Sequence, residues 1–263
     1  MSYQTLDIRT DDRGVAYVTL NVPDKRNVLS ATMIAELTDM AGTLGAAEHT
    51  RAIVLAGAGK VFCAGGDLTW MKAQIEADRE TRMREARKLA MMLNALNEMP
   101  TPLIGRLHGG AFGGGVGLAC VCDVALAAEG TKFGLTETRL GLIPATIGPY
   151  VIARMGEGVA RRVFMSARLF EAAEAAELGL VARAAPEADL DAAVEAEVAP
   201  YLSVAPGAVG RAKALARSLG PRIDAAVIDA TIARLADTWE TDEAAHGIDS
   251  FLGKTTPRWA LTS

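Results

Sequence analysis

Apolar and polar side chains alternate over Thr5–Arg9 and again over Val15–Asn21, on either side of DDRG. Two-residue alternation about a glycine-bearing turn predicts a β-hairpin. After NVPDKRNVLS the period lengthens: Met33, Leu37, Met40 and Leu44 recur at helical spacing, which predicts a helix over Ala31–Leu44 with Ser30 at its N-cap. The short apolar run Ala52–Ala56 reads as a buried strand and leads into the turn GAGKVFCAGGDL. Mixed periodicity over Lys72–Glu98 predicts one long helix, ended by the prolines of MPTPLIG. Next come a strand at Leu103–Leu107, the loop HGGAFGGG, a short apolar helix from Val116 and a strand at Val124–Ala128. Helical patterns follow over Pro149–Met155, Gly158–Met165 and Ala172–Leu178, then in two long stretches from Pro206 and Arg222. The chain therefore reads as α/β with a helical final third.

Composition narrows the class. At 263 residues, half of them hydrophobic, the chain can bury roughly three quarters of its unfolded surface. A formal charge of −5 with no Lys/Arg block argues against nucleic acid as a partner. No apolar run reaches membrane-spanning length, and MSYQTLDIRTDD lacks a signal-peptide core, so a cytoplasmic protein with no membrane partner is expected. Cys63, Cys120 and Cys122 sit in apolar settings and read as core residues; no metal site is expected.

Two segments share a layout of strand, glycine-bearing loop and apolar stretch: AIVLAGAGKVFCAGGDL and PLIGRLHGGAFGGGVGLA. The triplet Gly113–Gly115 at a helix start would let a ligand approach unpaired N–H groups, which favour negative charge there. A dinucleotide fingerprint is excluded because Leu118 stands where its third glycine belongs, and no Gly-Lys-Ser/Thr phosphate loop occurs. Close packing of helix on strand is the other reading of the same glycines.

Further stretches narrow that choice. VFCAGGDL (Val61–Leu68), HGGAFGGGVGLACVCDVALA (His108–Ala127), FGLTETRLGLIP (Phe133–Pro144) and ELGLV (Glu177–Val181), with NVPDKRNVLS before them and FLGKTTPRW after, occur in this order. In these motifs the chain resembles the crotonase superfamily of enoyl-CoA hydratases and isomerases over nearly its whole length. The resemblance implies a repeated β-β-α spiral core, residues 1–200, that binds and transforms a coenzyme A thioester. A helical C-terminal region, residues 201–263, would assemble a homotrimer or dimer of trimers. It implies no cofactor beyond the coenzyme A of the substrate. It assigns the thioester oxyanion to the backbone N–H groups of Gly66 and Gly114, where preorganised donors favour the enolate-like transition state.

Proton transfer beside the carbonyl needs a carboxylate with a raised pKa. The family's second glutamate maps to Glu137, set among Leu135, Leu140 and Leu142. Its first glutamate maps to Gly117, so the pair is incomplete. Hydration by one carboxylate and isomerisation by one base both fit that pattern. Ile143–Gly156 (IPATIGPYVIARMG) resembles the methylglutaconyl- and carboxygeranoyl-CoA hydratases, which act on branched substrates.

By the same resemblance Lys25, Arg26 and Lys254 meet the nucleotide end of the substrate, with Phe251 near the adenine. Ala64, Gly66, Asp67, Leu68, Phe112 and Gly114 line the thioester path, and Trp70 and Met71 wall the acyl pocket. His108 reads as a loop hydrogen-bonder. Hydrolysis or a non-catalytic acyl-CoA-binding role are the other readings open to such a chain.

Overall fold

A computed structural model describes residues 3–261. The alternating N-terminal segments form an antiparallel hairpin, β1 (Leu6–Thr10) and β2 (Val15–Leu20). The chain continues through α1 (Ala31–Thr43), β3 (Ala52–Gly57), α2 (Leu68–Glu76), α3 (Arg79–Glu98) and β4 (Leu103–Leu107). A glycine-rich passage holds β5 (Gly110–Phe112) and α4 (Gly114–Val121), followed by β6 (Val124–Ala128) and β7 (Lys132–Gly134). Then come α5 (Gly148–Met155), α6 (Glu157–Phe164), β8 (Phe170–Glu171), α7 (Ala172–Glu177), β9 (Arg183–Ala185) and α8 (Leu190–Val198). Helices α9 (Pro206–Leu219), α10 (Ala225–Trp239) and α11 (Asp242–Gly253) complete the fold.

The main sheet runs β1-β2-β3-β4-β6-β9 and is parallel from β2 onward, whereas β5-β7-β8 make a small second sheet. Helices cover both faces of the main sheet, which explains why β3 is apolar throughout rather than alternating. One face packs Ile53 and Leu55 against Met33, Leu37, Leu93 and Leu96; the other packs Val54 and Ile104 against Leu190 and Val198. A third cluster joins α3, α10 and α11 to Leu142 and Ala145. No helix among the described residues is long and apolar enough to cross a membrane.

Hydrophobic period alone misplaces several ends. The helix expected over Lys72–Glu98 is two helices, because Asp78 accepts a hydrogen bond from Thr81 N and caps α3 as a new start. Arg82 then donates back to the Gln74 and Ile75 carbonyls that end α2. The stretch from Arg222 is likewise divided, with Asp224 capping α10 and Thr241 capping α11. HGGAFGGG is not all loop, since it contains β5, and α4 begins at Gly114, before Val116. All three cysteines are free and buried, and burial pushes their thiols up to about 12.

Asn27 ties the PDKRN turn to the loop after β3. Its Nδ2 donates to the carbonyls of Ala58 (2.8 Å), Val61 (3.0 Å) and Phe62 (3.2 Å), and its Oδ1 accepts from Val22 N (3.0 Å). The residue is fully buried with φ +52°, a left-handed conformation that asparagine adopts more readily than most residues. Asn27→Ala would strand these buried groups. It should cost about 2–4 kcal/mol, read as a lower urea midpoint at unchanged slope.

Candidate active site

Because β3 and β4 are parallel neighbours, the loops leaving their C-terminal ends run side by side. Phe62 N donates to His108 O (2.9 Å), Cys63 N to Gly110 O (3.2 Å), and Phe112 N to Cys63 O (3.1 Å). The Leu29 strand segment joins on the far side, with Leu29 N on Gly65 O at 2.8 Å. His108 braces this arrangement through Nε2 and Gly59 O at 2.8 Å, the loop bond expected of it.

The glycines make the approach possible. At Gly65, φ +90°, an added Cβ would stand 2.5 Å from Phe112 O and 3.6 Å from Gly114 N. At Gly114 it would meet Leu29 Cδ1 at 2.6 Å, and at Gly115 the Cys63 carbonyl oxygen at 2.5 Å. Close packing is therefore part of what the triplet does. Gly66 differs: nothing lies within 4 Å of its added Cβ, and it is exposed. Among the described residues the N–H groups of Gly66 and Gly114 donate to no protein acceptor, whereas those of Val116 and Gly117 bond to Gly113 O.

Glu137 completes the constellation. Gly113 N bonds Gly134 O at 2.9 Å, drawing the end of β7 onto the triplet. Glu137 follows in a 3-10 turn, Glu137–Leu140, and its Oε1 lies 3.0 Å from where a Gly113 Cβ would be. Gly113, at φ +48°, leaves that space to the carboxylate. The residue keeps some exposed surface, but Oε2 has none and no hydrogen-bond partner. Burial is the main cause that raises its pKa to about 7, partly offset by its own backbone N–H. Arg139 is exposed, and among the described residues no ion pair joins it to Glu137. The carboxyl is thus a buried acid–base group beside two unpaired backbone donors.

The place opposite is filled. A Cβ on Gly117 would stand 2.7 Å from Ile147 Cγ2 and 3.1 Å from Leu93 Cδ1, both side chains being buried. Helices α2 and α3 send no substitute carboxylate: Glu76 and Glu80 are exposed, and Glu85 pairs with Lys88 at 2.8 Å. No group of three or more His, Cys, Asp or Glu side chains able to hold a metal ion occurs among the described residues.

Lys25 and Arg26 are exposed, and Ala64 N donates to Arg26 O at 3.0 Å, so this turn borders the glycine loop. Asp67 caps α2, its Oδ1 accepting from Thr69 N at 2.6 Å, and the Leu68 side chain lies outside the described residues. Phe112 is half-buried, with its ring over Gly110. Trp70 and Met71 are half-buried; Trp70 faces α3 and α10 beside Gln74, Met83 and Trp239. Lys254 ends α11 at φ +54°, and among the described residues no hydrogen bond or ion pair joins its side chain to the glycine loops. A cleft of about 720 Å³ opens at the opposite end of α4, beside Asp123, Arg154 and Arg217, away from these groups. Sequence reasoning did not single out Gly65, Asn27 or Ile147; only the asparagine, a residue tolerant of positive φ in a turn, left a signal there.

Residues 10–261 match the family described as enoyl-CoA hydratase/isomerase. The crystal structure of an enoyl-CoA hydratase from Shewanella pealeana is 36% identical, with a TM-score of 0.79 over 97% of this chain and 96% of that one. One from Mycobacterium avium is 30% identical, with a TM-score of 0.84 over 97% and 99%. Enoyl-CoA hydratase ACTT6 of Alternaria alternata is 33% identical over 205 residues, 78% of this chain and 67% of its own length. The chain belongs to the enoyl-CoA hydratase/isomerase family and has its crotonase fold.

Proposed function

We propose that this chain adds water to a branched 2-enoyl-CoA thioester, with Glu137 as its acid–base group and the N–H groups of Gly66 and Gly114 as its oxyanion hole. The buried Glu137 carboxyl, unpartnered at Oε2 and set over Gly113 beside those donors, carries the reading. As a carboxylate it takes a proton from water while the water oxygen bonds to C3. The double-bond electrons move to the thioester oxygen, and the two N–H groups receive that charge where it develops. Glu137 then returns the proton to C2 as the enolate collapses, so one carboxyl serves both steps. The reaction moves protons and charge and calls for no cofactor beyond the coenzyme A already on the substrate.

In the same reading Lys25 and Arg26 meet the coenzyme's phosphates beside Ala64. Ala64, Asp67, Leu68 and Phe112 follow the thioester arm, and Lys254 reaches the phosphates bound by a neighbouring subunit. The branched substrate is supported by Ile143–Gly156, whose Ile147 fills the site beside Gly117. That filling also favours a second reading, isomerisation, which needs one base moving a proton between C2 and C4. Three free buried thiols fit a reducing compartment such as the cytoplasm.

Helix α9 supports assembly into a trimer. Gly210, Lys213 and Arg217 face the core: Lys213 pairs with Asp123 (2.8 Å) and Arg217 with Glu98 (2.7 Å). Its apolar stripe, Ala208, Ala212, Leu215 and Leu219, faces outward, Leu219 being 81% exposed. An inside-out helix of this kind asks for another subunit. Leu215→Glu should shift the mass in light scattering toward monomer; unchanged mass would reject α9 as the interface.

In heavy-oxygen water, 3-methylglutaconyl-CoA should gain the label, and faster than crotonyl-CoA. Deuterium entering an unhydrated product instead would make the enzyme an isomerase. Glu137→Gln should lower kcat by about 10²–10⁴-fold and leave acyl-CoA affinity nearly unchanged.

Since the base must be ionised, activity should rise with pH through about 7. Stability should run the other way. Folded Glu137 holds its proton up to about 7 against an ordinary value of 4.5, so its burial penalty is absent below 4.5 and complete above 7. Glu137→Gln should therefore be more stable than wild type at pH 8, by about 3 kcal/mol, and nearly equal at pH 4.5.

A further inference from the structure

We infer that α11 is the seat that positions Glu137, with Gly141 and Gly247 bringing its backbone directly against the glutamate turn. This rests on Glu137 being the base.

The contact is backbone on backbone from both sides. A Cβ on Gly247 would lie 2.5 Å from both the carbonyl carbon and the oxygen of Leu140, the last residue of the turn. A Cβ on Gly141, at φ +68°, would lie 2.5 Å from the Glu243 carbonyl and 2.8 Å from Ala244 N. Non-bonded carbon contacts need about 3.5–4.0 Å, so one methyl at position 247 must separate the two elements by about an ångström. The same methyl would also meet the Trp259 ring at 2.9 Å, so the added bulk is crowded from two directions. The tail is pinned by Arg258 N donating to His246 Nε2 (2.9 Å) and by the edge-on packing of His246 and Trp259. Ala244 and Ile248, both buried, flank Gly247 on α11.

The turn has little freedom on its glutamate side, where Oε1 already sits against Gly113. Pushing the turn off α11 therefore tilts the carboxyl relative to the Gly66 and Gly114 donors and opens its burial. Of the charged groups on the two elements, Arg139 in the turn and Glu243 on α11 are exposed, and among the described residues neither pairs with Glu137. Burial, set by this seat, is what holds the carboxyl above its ordinary range. Gly247 is thus a positioning residue acting through the Glu137 turn.

The test compares pH–rate profiles of full-length variants on the substrate that wild type turns over. Gly247→Ala should lower kcat about 10–100-fold, the cost of a misplacement near an ångström. It should also move the midpoint of the acid limb below its wild-type position, because a better solvated carboxyl ionises earlier. Ile248→Ala, which softens the same seat without adding bulk, should shift the midpoint in the same direction and serves if Gly247→Ala does not fold. Leu190→Ala, at a buried position of α8 on the far face of the sheet, and Gly253→Ala, whose methyl meets only Thr255 at 3.9 Å, should leave the midpoint in place. A Gly247→Ala or Ile248→Ala enzyme with the wild-type midpoint, whatever its stability, overturns the seat while leaving the base intact. A Glu137→Gln enzyme that keeps its activity overturns the base, and the seat with it.

Discussion

Backbone contact between two parallel loops is the constraint on which the rest of this structure depends. The segments after β3 and β4 approach so closely that side chains at Gly65, Gly114 or Gly115 would strike a carbonyl oxygen or Leu29. Such proximity carries an entropic cost for each glycine in the unfolded chain. What it gives is two amide groups on separate loops, those of Gly66 and Gly114, left without protein acceptors at one rim of the sheet. The parallel register of β3 and β4 brings the loops together, and Asn27 locks the first of them from below through three carbonyls. The loops that carry the donors are held to one another by backbone hydrogen bonds at Phe62, Cys63 and Phe112.

The same closeness sets the electrostatics of Glu137. Bonding of Gly113 to Gly134 pulls the glutamate turn onto the triplet, and the seat on α11 closes it from behind. A carboxylate in that place loses water without gaining an ion pair, which raises its pKa at the expense of folding stability above neutral pH. A surface carboxylate would be ionised but weakly basic; a paired one would be held down by its partner. An apolar surround without a cation poises the group near neutral pH, where the proposed reaction would have it both accept and return a proton.

Much of this was legible in the chain. Hairpin, buried strands and final helices follow from periodicity, and the glycine loops and Glu137 follow from the motifs. The break at Ala77–Asp78 escaped because a single capping aspartate outweighs a continuous apolar period. Gly247 escaped for a different reason. A glycine inside a helix carries no pattern, and its meaning lies in a carbonyl 107 positions earlier in the sequence, at Leu140, which only folding brings to it. Ile147 is similar, since its bulk matters through a helix packed across from it. Local chemistry is written locally; close approach between distant segments is not.

Gly117 shows what such distant coupling means for the chemistry. It has no side chain, and the space beside it is taken by Ile147 and Leu93. Placing a carboxylate at 117 would need room taken from Ile147 on the 143–147 segment and from Leu93 on α3. It would also place a negative charge against two buried apolar side chains. A second carboxylate close to Glu137 would raise the pKa of one of the two further. In the proposed chemistry, then, the bulk of residue 147 decides whether a second carboxyl has room, although it titrates nothing.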